Sequence, residues 1–241
     1  MKMKMFCLPY AGASAMIYQS WKKQLAPTIE LIPIEIAGRG LRMDEPFLST
    51  FEEHVQDVYD VIVRQIGEEK FCIFGHSMGS LLAFELVHQL KDHEQPLPDH
   101  LFLSGCFPPH IREENRMKFK HMTEKEMFQE VVKLGGIPAE LIENKEYKDL
   151  FFPIIKADLT MLDTYEYTHP KQKLSCHASI FYGKEDIQTD NPIKIGEWGE
   201  YFNKECHFYA FEGGHFFLNH EKAEVLKNVN RILEKVVLPQ F

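Results

Sequence analysis

Residues 71–90 read FCIFGHSMGSLLAFELVHQL, an apolar run that ends in Gly-x-Ser-x-Gly and continues as a second apolar run. This order predicts a strand, a sharp turn that carries Ser77, and a buried helix. Strand and helix can cross closely at such a turn only if the residues two before and two after the serine lack a Cβ atom. Gly75 and Gly79 meet that requirement, so the turn can push the Ser77 hydroxyl out of the backbone as a nucleophile.

A serine hydroxyl is a weak nucleophile by itself. It needs a histidine base, an acid that orients the histidine, and N–H donors that stabilise the oxyanion. As a bare pattern, Gly-x-Ser-x-Gly also occurs by chance in glycine-containing turns, but the strand before it and the helix after it favour the catalytic interpretation. The rest of the chain can therefore be searched for the three missing parts.

Strand-like and helical patterns alternate along the chain. Residues 51–66 have apolar positions at helical spacing with acids between them. Strand-like runs occupy residues 4–8, 29–36, 100–106, 176–182 and 206–211. Because such alternation implies parallel strands with crossover helices, we expect an α/β fold with a mostly parallel central sheet flanked by helices.

The pattern changes between residues 107 and 169. This segment is helical and charged and has no strand candidate, with prolines and glycines at its entry, middle and exit: Pro108, Pro109, Gly135, Gly136, Pro138 and Pro170. An insertion of this kind between two strands is the expected position of a lid over a hydrolase pocket. We therefore expect residues 1–241 to form a single α/β-hydrolase domain with residues 107–169 as a helical lid. Its apolar residues, such as 151–155, more often pack than bind a ligand, although they could line an acyl channel.

The acid is expected just after the strand that follows the lid, because the carboxyl ends of strands form the active edge of an open α/β sheet. Asp186 occupies that position. Glu185 and Asp190 are its nearest rivals, and an ordinary loop acid is the alternative interpretation.

The base is expected after the last strand, where Gly213 and Gly214 free the backbone to bring His215 towards Ser77. His207 lies within that strand and His220 opens the predicted final helix, so both fit the geometry less well. The resulting chain order of serine, aspartate and histidine is that of α/β-hydrolases.

Two backbone N–H groups are candidates for the oxyanion hole. One donor in hydrolases of this type is the residue after the nucleophile, here Met78, and the other lies in a loop after an early strand. Ala11 is the candidate in that loop, with Tyr10 as the neighbouring possibility. The alternative is that residues 11–13 form only a flexible turn.

Composition excludes several classes of function. The 241 residues carry 27 Lys and Arg against 36 Asp and Glu, a formal charge of −9, which argues against wholesale binding to nucleic acid or an anionic membrane. No apolar run is long enough to span a bilayer. No metal-ligand spacing is present, so neither a metal nor another cofactor is expected. The five cysteines, odd in number and without Cys-x-x-Cys spacing, indicate reduced core residues of a cytoplasmic protein.

Residues 112–121 form a basic cluster in this acidic chain. Its members are Arg112, Arg116, Lys118, Lys120 and His121. A solvated helix face is the simplest interpretation. The alternative is a docking surface for an acidic partner.

Six segments together resemble the type II thioesterases, the stand-alone editing enzymes of nonribosomal peptide and polyketide synthases. They are LPYAG (8–12), GRG (38–40), FGHSMG (74–79), LGGIP (134–138), FYGKED (181–186) and FEGGHFF (211–217). The serine turn is shared by many hydrolases, whereas LGGIP and the opening PYAG are more particular to this family. Ala37 stands where family members often have proline, and that departure does not touch the proposed triad.

The resemblance implies a monomeric, cofactor-free enzyme that acts on carrier proteins. Its substrate would be an acyl, aminoacyl or peptidyl group held as a thioester on the phosphopantetheine arm of an acyl- or peptidyl-carrier domain. Ser77, Asp186 and His215 would form the triad, with Met78 and Ala11 as oxyanion donors. Two alternatives stay open: a small carboxylesterase acting on oxygen esters, and a hydrolase-like module that only binds carriers or other ligands.

Overall fold

Six parallel strands form one sheet in the order β2-β1-β3-β4-β5-β6. The structure is a computed structural model that describes residues 2–114, 118–137, 144–169 and 172–237. The strands are β1 (Met3–Leu8), β2 (Ile29–Pro33), β3 (Phe71–His76), β4 (His100–Ser104), β5 (His177–Gly183) and β6 (Cys206–Phe211). Because all of them are parallel, their carboxyl ends meet at one edge of the sheet.

Helices connect the strands and cover both faces of the sheet. The α-helices are α1 (Phe51–Ile66), α2 (Met78–Asp92), α3 (Pro109–Glu114), α4 (Glu124–Lys133), α5 (Lys145–Leu162), α6 (Pro192–Gly196), α7 (Phe217–His220) and α8 (Lys222–Val237). Short 3-10 helices occupy Ala15–Lys23, Gly40–Arg42, Phe119–His121 and Glu197–Tyr201. The predicted α/β-hydrolase class, with a parallel sheet flanked by helices, is confirmed.

Two apolar cores lie on opposite faces of the sheet, because successive strand side chains point to opposite sides. In β3, Phe71 and Ile73 pack with α1 and α2, whereas Cys72 and Phe74 pack with α8 and the 3-10 helix at Ala15–Lys23. All six residues of β3 are buried. The strand that carries the serine turn is therefore covered on both sides and fixed in position.

The strand ends differ slightly from those predicted. The run at residues 29–36 pairs only to Pro33, and the run at residues 100–106 pairs only to Ser104. Ile34 and Ile36 are buried nonetheless, and the Ile34 N–H still donates to the Cys7 carbonyl of β1 at 2.9 Å. The apolar pattern therefore continues past the end of the strand because it marks burial. His220 ends the short helix α7 and does not open the final helix, which begins at Lys222.

The segment at residues 107–169, called the insertion below, lies between β4 and β5. In its described part it contains α3, α4, α5 and one 3-10 helix, and no strand. Thr123 and Asn144 cap the starts of α4 and α5 through their side chains. Pro138, predicted in the middle of this segment, and Pro170, predicted at its exit, lie outside the described residues.

None of the helices in the described ranges combines the length and apolar character needed to cross a membrane.

Candidate active site

Ser77 occupies a strained turn between β3 and α2. Its φ of +53° is rare for a residue with a side chain, and its N–H donates to the Ser104 carbonyl at 2.7 Å. A Cβ atom on Gly75 would collide with the Gly79 carbonyl, and one on Gly79 would collide with the Leu8 carbonyl. The two glycines thus permit the close crossing that the sequence predicts.

His215 and Asp186 form a buried pair at the same edge of the sheet. His215 Nδ1 lies 2.9 Å from Asp186 Oδ2, and both side chains are almost fully buried. Asp186 follows β5 and His215 follows β6, and the loops approach closely because Gly183 has no Cβ atom to meet the carbonyls of Gly213 and Gly214. Parallel pairing of β5 with β6 therefore brings the acid and the base together.

The surroundings of Asp186 keep its carboxylate ionised. Burial alone would raise the pKa of Asp186, but hydrogen bonds outweigh it and hold this pKa below the ordinary value of 3.8. The donors are the His215 ring, the Thr189 hydroxyl at 2.8 Å and the Gln188 N–H at 2.9 Å. An ionised carboxylate at this position favours the tautomer of His215 that carries its proton on Nδ1.

The other candidate acids and bases are exposed. Glu185 is exposed, and His207 is exposed and contacts Glu205. Asp190 borders the site but is also exposed, and His220 is exposed at the end of α7. Of the predicted acids and bases in the described part of the chain, the structure pairs Asp186 with His215.

A cavity of about 400 Å³ opens beside these residues. Ser77 and His215 both border it, although the described structure contains no hydrogen bond between the Ser77 hydroxyl and the His215 ring. The insertion contributes an apolar wall formed by Phe107, Phe119, Val131, Leu134, Leu159 and Leu162. Charged groups also reach the cavity, namely Arg112, Glu130, Asp190 and Lys194.

The predicted oxyanion donors border the same cavity. Met78 is the first residue of α2, so its N–H has no acceptor within the helix. Ala11 follows β1 and adjoins the cavity together with its neighbour Tyr10. The structure thus brings Ser77, Met78 and Ala11 to one surface.

His76 is a buried neighbour of the site that the sequence patterns did not single out. Its ring centroid lies 5.2 Å from that of His215, and its Nδ1 lies 2.8 Å from the Ser104 hydroxyl. Burial lowers the pKa of His76 well below 6.5, and the nearby His215 lowers it further. The neutral His76 ring therefore packs against the His215 ring and limits its movement. Its place directly before the serine is the only sequence signal that could have indicated it.

Arg39 and Asp158 form a second buried pair that the sequence did not predict. Arg39 lies in the GRG segment at residues 38–40, and its side chain is buried against Asp158 of helix α5. Its guanidinium donates to both carboxylate oxygens of Asp158, at 2.5 Å and 2.6 Å. This pair joins the turn to the insertion next to the Ala11 loop.

The basic cluster lies partly at the cavity. Arg112 borders it, and Lys118, Lys120 and His121 are exposed around the buried Phe119, which forms part of its wall. Arg116 lies outside the described residues.

The five cysteines are free thiols. Four are buried and Cys206 is half-buried, so the expectation of core residues is correct for Cys7, Cys72, Cys106 and Cys176. Burial raises the pKa of Cys106, beside the cavity, to about 12. Within the described ranges no cluster of three or more His, Cys, Asp or Glu side chains could hold a metal ion.

The chain is similar to several known proteins over most of its length. A family model described as a thioesterase domain matches residues 3–233. The human medium-chain S-acyl fatty acid synthase thioesterase is 32% identical over 217 residues, which cover 89% of this chain and 80% of that protein. The crystal structure of ClbQ, from the colibactin pathway of nonribosomal peptide and polyketide synthesis, is 34% identical with a TM-score of 0.90 and covers 98% of both chains. BorB, a type II thioesterase of the borrelidin cluster, is 27% identical with a TM-score of 0.84, over 95% of this chain and 92% of that one.

Proposed function

The chain belongs to the thioesterase family, and we propose that it is a stand-alone type II enzyme that hydrolyses acyl, aminoacyl or peptidyl thioesters on the phosphopantetheine arm of carrier proteins. Its role would be to clear misprimed carriers of a nonribosomal peptide or polyketide synthase. The similarity to ClbQ and BorB over nearly the full chain supports this class of substrate.

One observation carries the proposal. His215, which is paired with the buried Asp186, borders the same cavity as Ser77 at the carboxyl edge of the sheet. A nucleophile, a base and an orienting acid in one place are the parts that acyl transfer requires.

In the proposed mechanism, His215 Nε2 accepts the proton of the Ser77 hydroxyl while Oγ bonds to the thioester carbonyl carbon. The electron pair moves to the carbonyl oxygen, which accepts hydrogen bonds from the N–H groups of Met78 and Ala11. The intermediate then expels the thiolate, which takes the proton from His215 and leaves an acyl group on Ser77. A water molecule that gives its proton to His215 hydrolyses this ester and releases the acid, and the proton returns to Ser77.

The insertion at residues 107–169 would act as the lid over the acyl group. Its apolar side chains, which include Leu159 and Leu162 of α5, line the cavity that Ser77 borders. Such a wall holds an acyl chain and excludes water from the reacting carbonyl. The charged groups Arg112 and Glu130 on the same wall would suit polar substituents of an aminoacyl or peptidyl group.

Carrier domains would dock beside the cavity opening. Lys118 and Lys120 are exposed cations next to Phe119, in a chain of formal charge −9. Local positive charge of this kind attracts an acidic carrier surface to a protein that would otherwise repel it.

Hydrolysis of a panel of acyl-loaded carrier proteins by the wild type and by Ser77→Ala tests the proposed function. We expect Ser77→Ala to lower turnover by about three orders of magnitude or more and to abolish labelling by a fluorophosphonate. Ser49→Ala, which alters an exposed serine, serves as the control and should behave as the wild type. Near-normal hydrolysis by Ser77→Ala would refute the triad. Faster turnover of aryl esters than of acyl-carrier substrates would favour the carboxylesterase alternative.

A further inference from the structure

Asp158, on helix α5, contacts the loop that carries the proposed oxyanion donor. Its Oδ2 accepts a hydrogen bond from the Gly12 N–H at 2.7 Å. Asp158 has no exposed surface, and residue 12 is 146 positions away along the chain. A carboxylate of the insertion therefore binds the peptide group directly after Ala11.

Arg39 completes the arrangement from the other side. It binds both oxygens of Asp158, and its Nη1 also donates to the Ala13 carbonyl at 3.3 Å. The loop is thus held at the N–H of Gly12 and at the carbonyl of Ala13. The bidentate contact with the guanidinium fixes the Asp158 carboxylate in the position from which Oδ2 accepts from the Gly12 N–H.

Helix α5 also packs directly on the loop. Gly12 has a φ of +81°, and a Cβ atom there would lie 2.8 Å from Cγ1 of the buried Ile155. Leu159, one residue after Asp158, borders the cavity. One turn of α5 therefore contacts the loop, binds its peptide group and forms part of the acyl wall.

We infer that Asp158 is a positioning residue for the oxyanion hole. Its hydrogen bond to the Gly12 N–H holds the Ala11–Gly12 peptide and, through the Ala11 backbone, restrains the preceding Tyr10–Ala11 peptide, to which the Ala11 N–H belongs. The Tyr10 carbonyl of that peptide accepts from the Ala13 N–H at 3.1 Å within the same loop. Displacement of α5 would release that peptide, so the oxyanion hole is complete only while this helix lies over the cavity. The inference rests on the proposed function, because it takes Ala11 as an oxyanion donor.

Two double variants separate the acceptor for Gly12 from the ion pair. Arg39→Met/Asp158→Leu removes both charges and the acceptor, whereas Arg39→Met/Asp158→Asn removes both charges and keeps a side-chain oxygen for the Gly12 N–H. Removing both partners avoids a lone buried charge, which would destabilise the fold. Arg42 and Asp57 form another bidentate pair, at 2.7 Å and 2.8 Å, that joins the same turn to α1 and does not contact the Ala11 loop. Arg42→Met/Asp57→Leu is therefore the matched control.

We expect the Leu double variant to lower kcat about tenfold or more with KM within about threefold, because an oxyanion donor acts mainly in the transition state. Phosphonylation of Ser77 by a fluorophosphonate should slow in parallel, since the phosphoryl oxygen uses the same donors. The Asn double variant and the control should keep kcat within about threefold of the wild type. Circular dichroism checks that each variant is folded. If the Leu variant does not fold, Arg39→Met/Asp158→Ala replaces it with the same expected result.

Equal kcat in the Leu and Asn double variants, whether normal or reduced, would overturn the positioning role, because the Gly12 acceptor would then make no difference. A reduced kcat in the Asn variant alone would overturn it as well. A wild-type enzyme that neither hydrolyses acyl carriers nor reacts with the fluorophosphonate at Ser77 would instead refute the proposed function. The two failures are therefore distinguishable.

Discussion

Asp186 holds the His215 ring through a contact of 2.9 Å between Oδ2 and Nδ1, and both side chains are almost fully buried. This contact fixes the ring orientation and leaves Nε2 for the cavity. Because His215 and Asp186 follow adjacent strands, the geometry depends on the pairing of β5 with β6 and on the close approach of their loops at Gly183.

Asp186→Asn should lower kcat by about 10²–10⁴ while the fold is retained. The amide can hold the ring in place, but it favours the wrong tautomer and cannot stabilise the imidazolium that forms during reaction. Asp190→Asn, at the cavity edge, is the control and should keep kcat within about threefold. Steady-state kinetics on an acyl-loaded carrier measures kcat for both variants. Equal kcat values for Asp186→Asn and Asp190→Asn would contradict the role of Asp186.

The low pKa of Asp186 also has a consequence for stability. A carboxyl whose pKa is lower in the folded than in the unfolded state stabilises the fold above its unfolded pKa, and this contribution is lost as pH falls through the folded pKa. The free energy of unfolding of Asp186→Asn should therefore fall less steeply than that of the wild type as pH decreases below about pH 4. Urea unfolding at pH 3–5 measures the difference, and an unchanged acid dependence would contradict it.

Gly79→Ala should destabilise the fold by about 3 kcal/mol or more, or prevent folding. Its new Cβ atom would meet the backbone carbonyl of Leu8, which cannot rotate away as a side chain can. Gly199→Ala is the matched control, because a Cβ atom at Gly199 would have no atom of the described residues within 4 Å and φ there is not positive. Thermal unfolding compares the two, and equal stability of both variants would mean that the serine turn tolerates a wider crossing.

The parts of the site that the sequence predicts are those specified by local signals. Ser77 lies between two required glycines, and Asp186 and His215 each follow an apolar strand, so their convergence follows from parallel pairing. The predicted ends of β2 and β4 were less accurate. An apolar run indicates burial, whereas the end of a strand depends on where its hydrogen bonds to the neighbouring strand stop. Ile36 is fully buried without belonging to the sheet.

Arg39 and Asp158 show what local signals cannot supply. Their contact joins residues 119 positions apart, and each looks ordinary in sequence: one lies in a glycine-containing turn and the other in a helix. Only the packing of α5 on the Ala11 loop brings them together. A prediction of this pair would have required the position of the insertion, which periodicity alone does not give.

Three buried histidines should make the protein sensitive to mild acid. Burial lowers the pKa of His88 and of His100 to about 3 and that of His76 well below 6.5. Each is therefore neutral when folded and protonated when unfolded between about pH 6 and pH 4, so unfolding takes up protons. Stability should fall with decreasing pH in that window, by up to roughly 4 kcal/mol per pH unit from the three together.

His88→Leu isolates one of these contributions. Among the described residues neither buried ring nitrogen of His88 has a hydrogen-bond partner, so an apolar replacement of similar volume should be neutral or stabilising at pH 7. The loss of one titrating group should reduce the slope of unfolding free energy against pH by about 1.4 kcal/mol per pH unit between pH 6 and pH 4. Urea unfolding over this range measures the slope, and an unchanged slope would contradict a neutral, buried His88.

Charge reversal at the exposed lysines beside Phe119 tests the proposed carrier contact. Lys118→Glu/Lys120→Glu should raise KM for an acyl-loaded carrier several-fold and leave KM for a small acyl thioester unchanged, because only the carrier presents an acidic surface. Exposed pairs are screened by salt, so the increase should diminish as ionic strength rises.

Lys22→Glu/Lys23→Glu makes the same change in net charge on the 3-10 helix that packs against the opposite face of the sheet from α1 and α2. This control separates a local contact from the overall charge of the protein. If both double variants raise KM for the carrier equally, the attraction is non-specific, since it then depends on net charge alone. If Lys118→Glu/Lys120→Glu also raises KM for the small thioester, the substitutions have altered the cavity wall at Phe119, and the basic cluster supports the acyl site instead of binding the carrier.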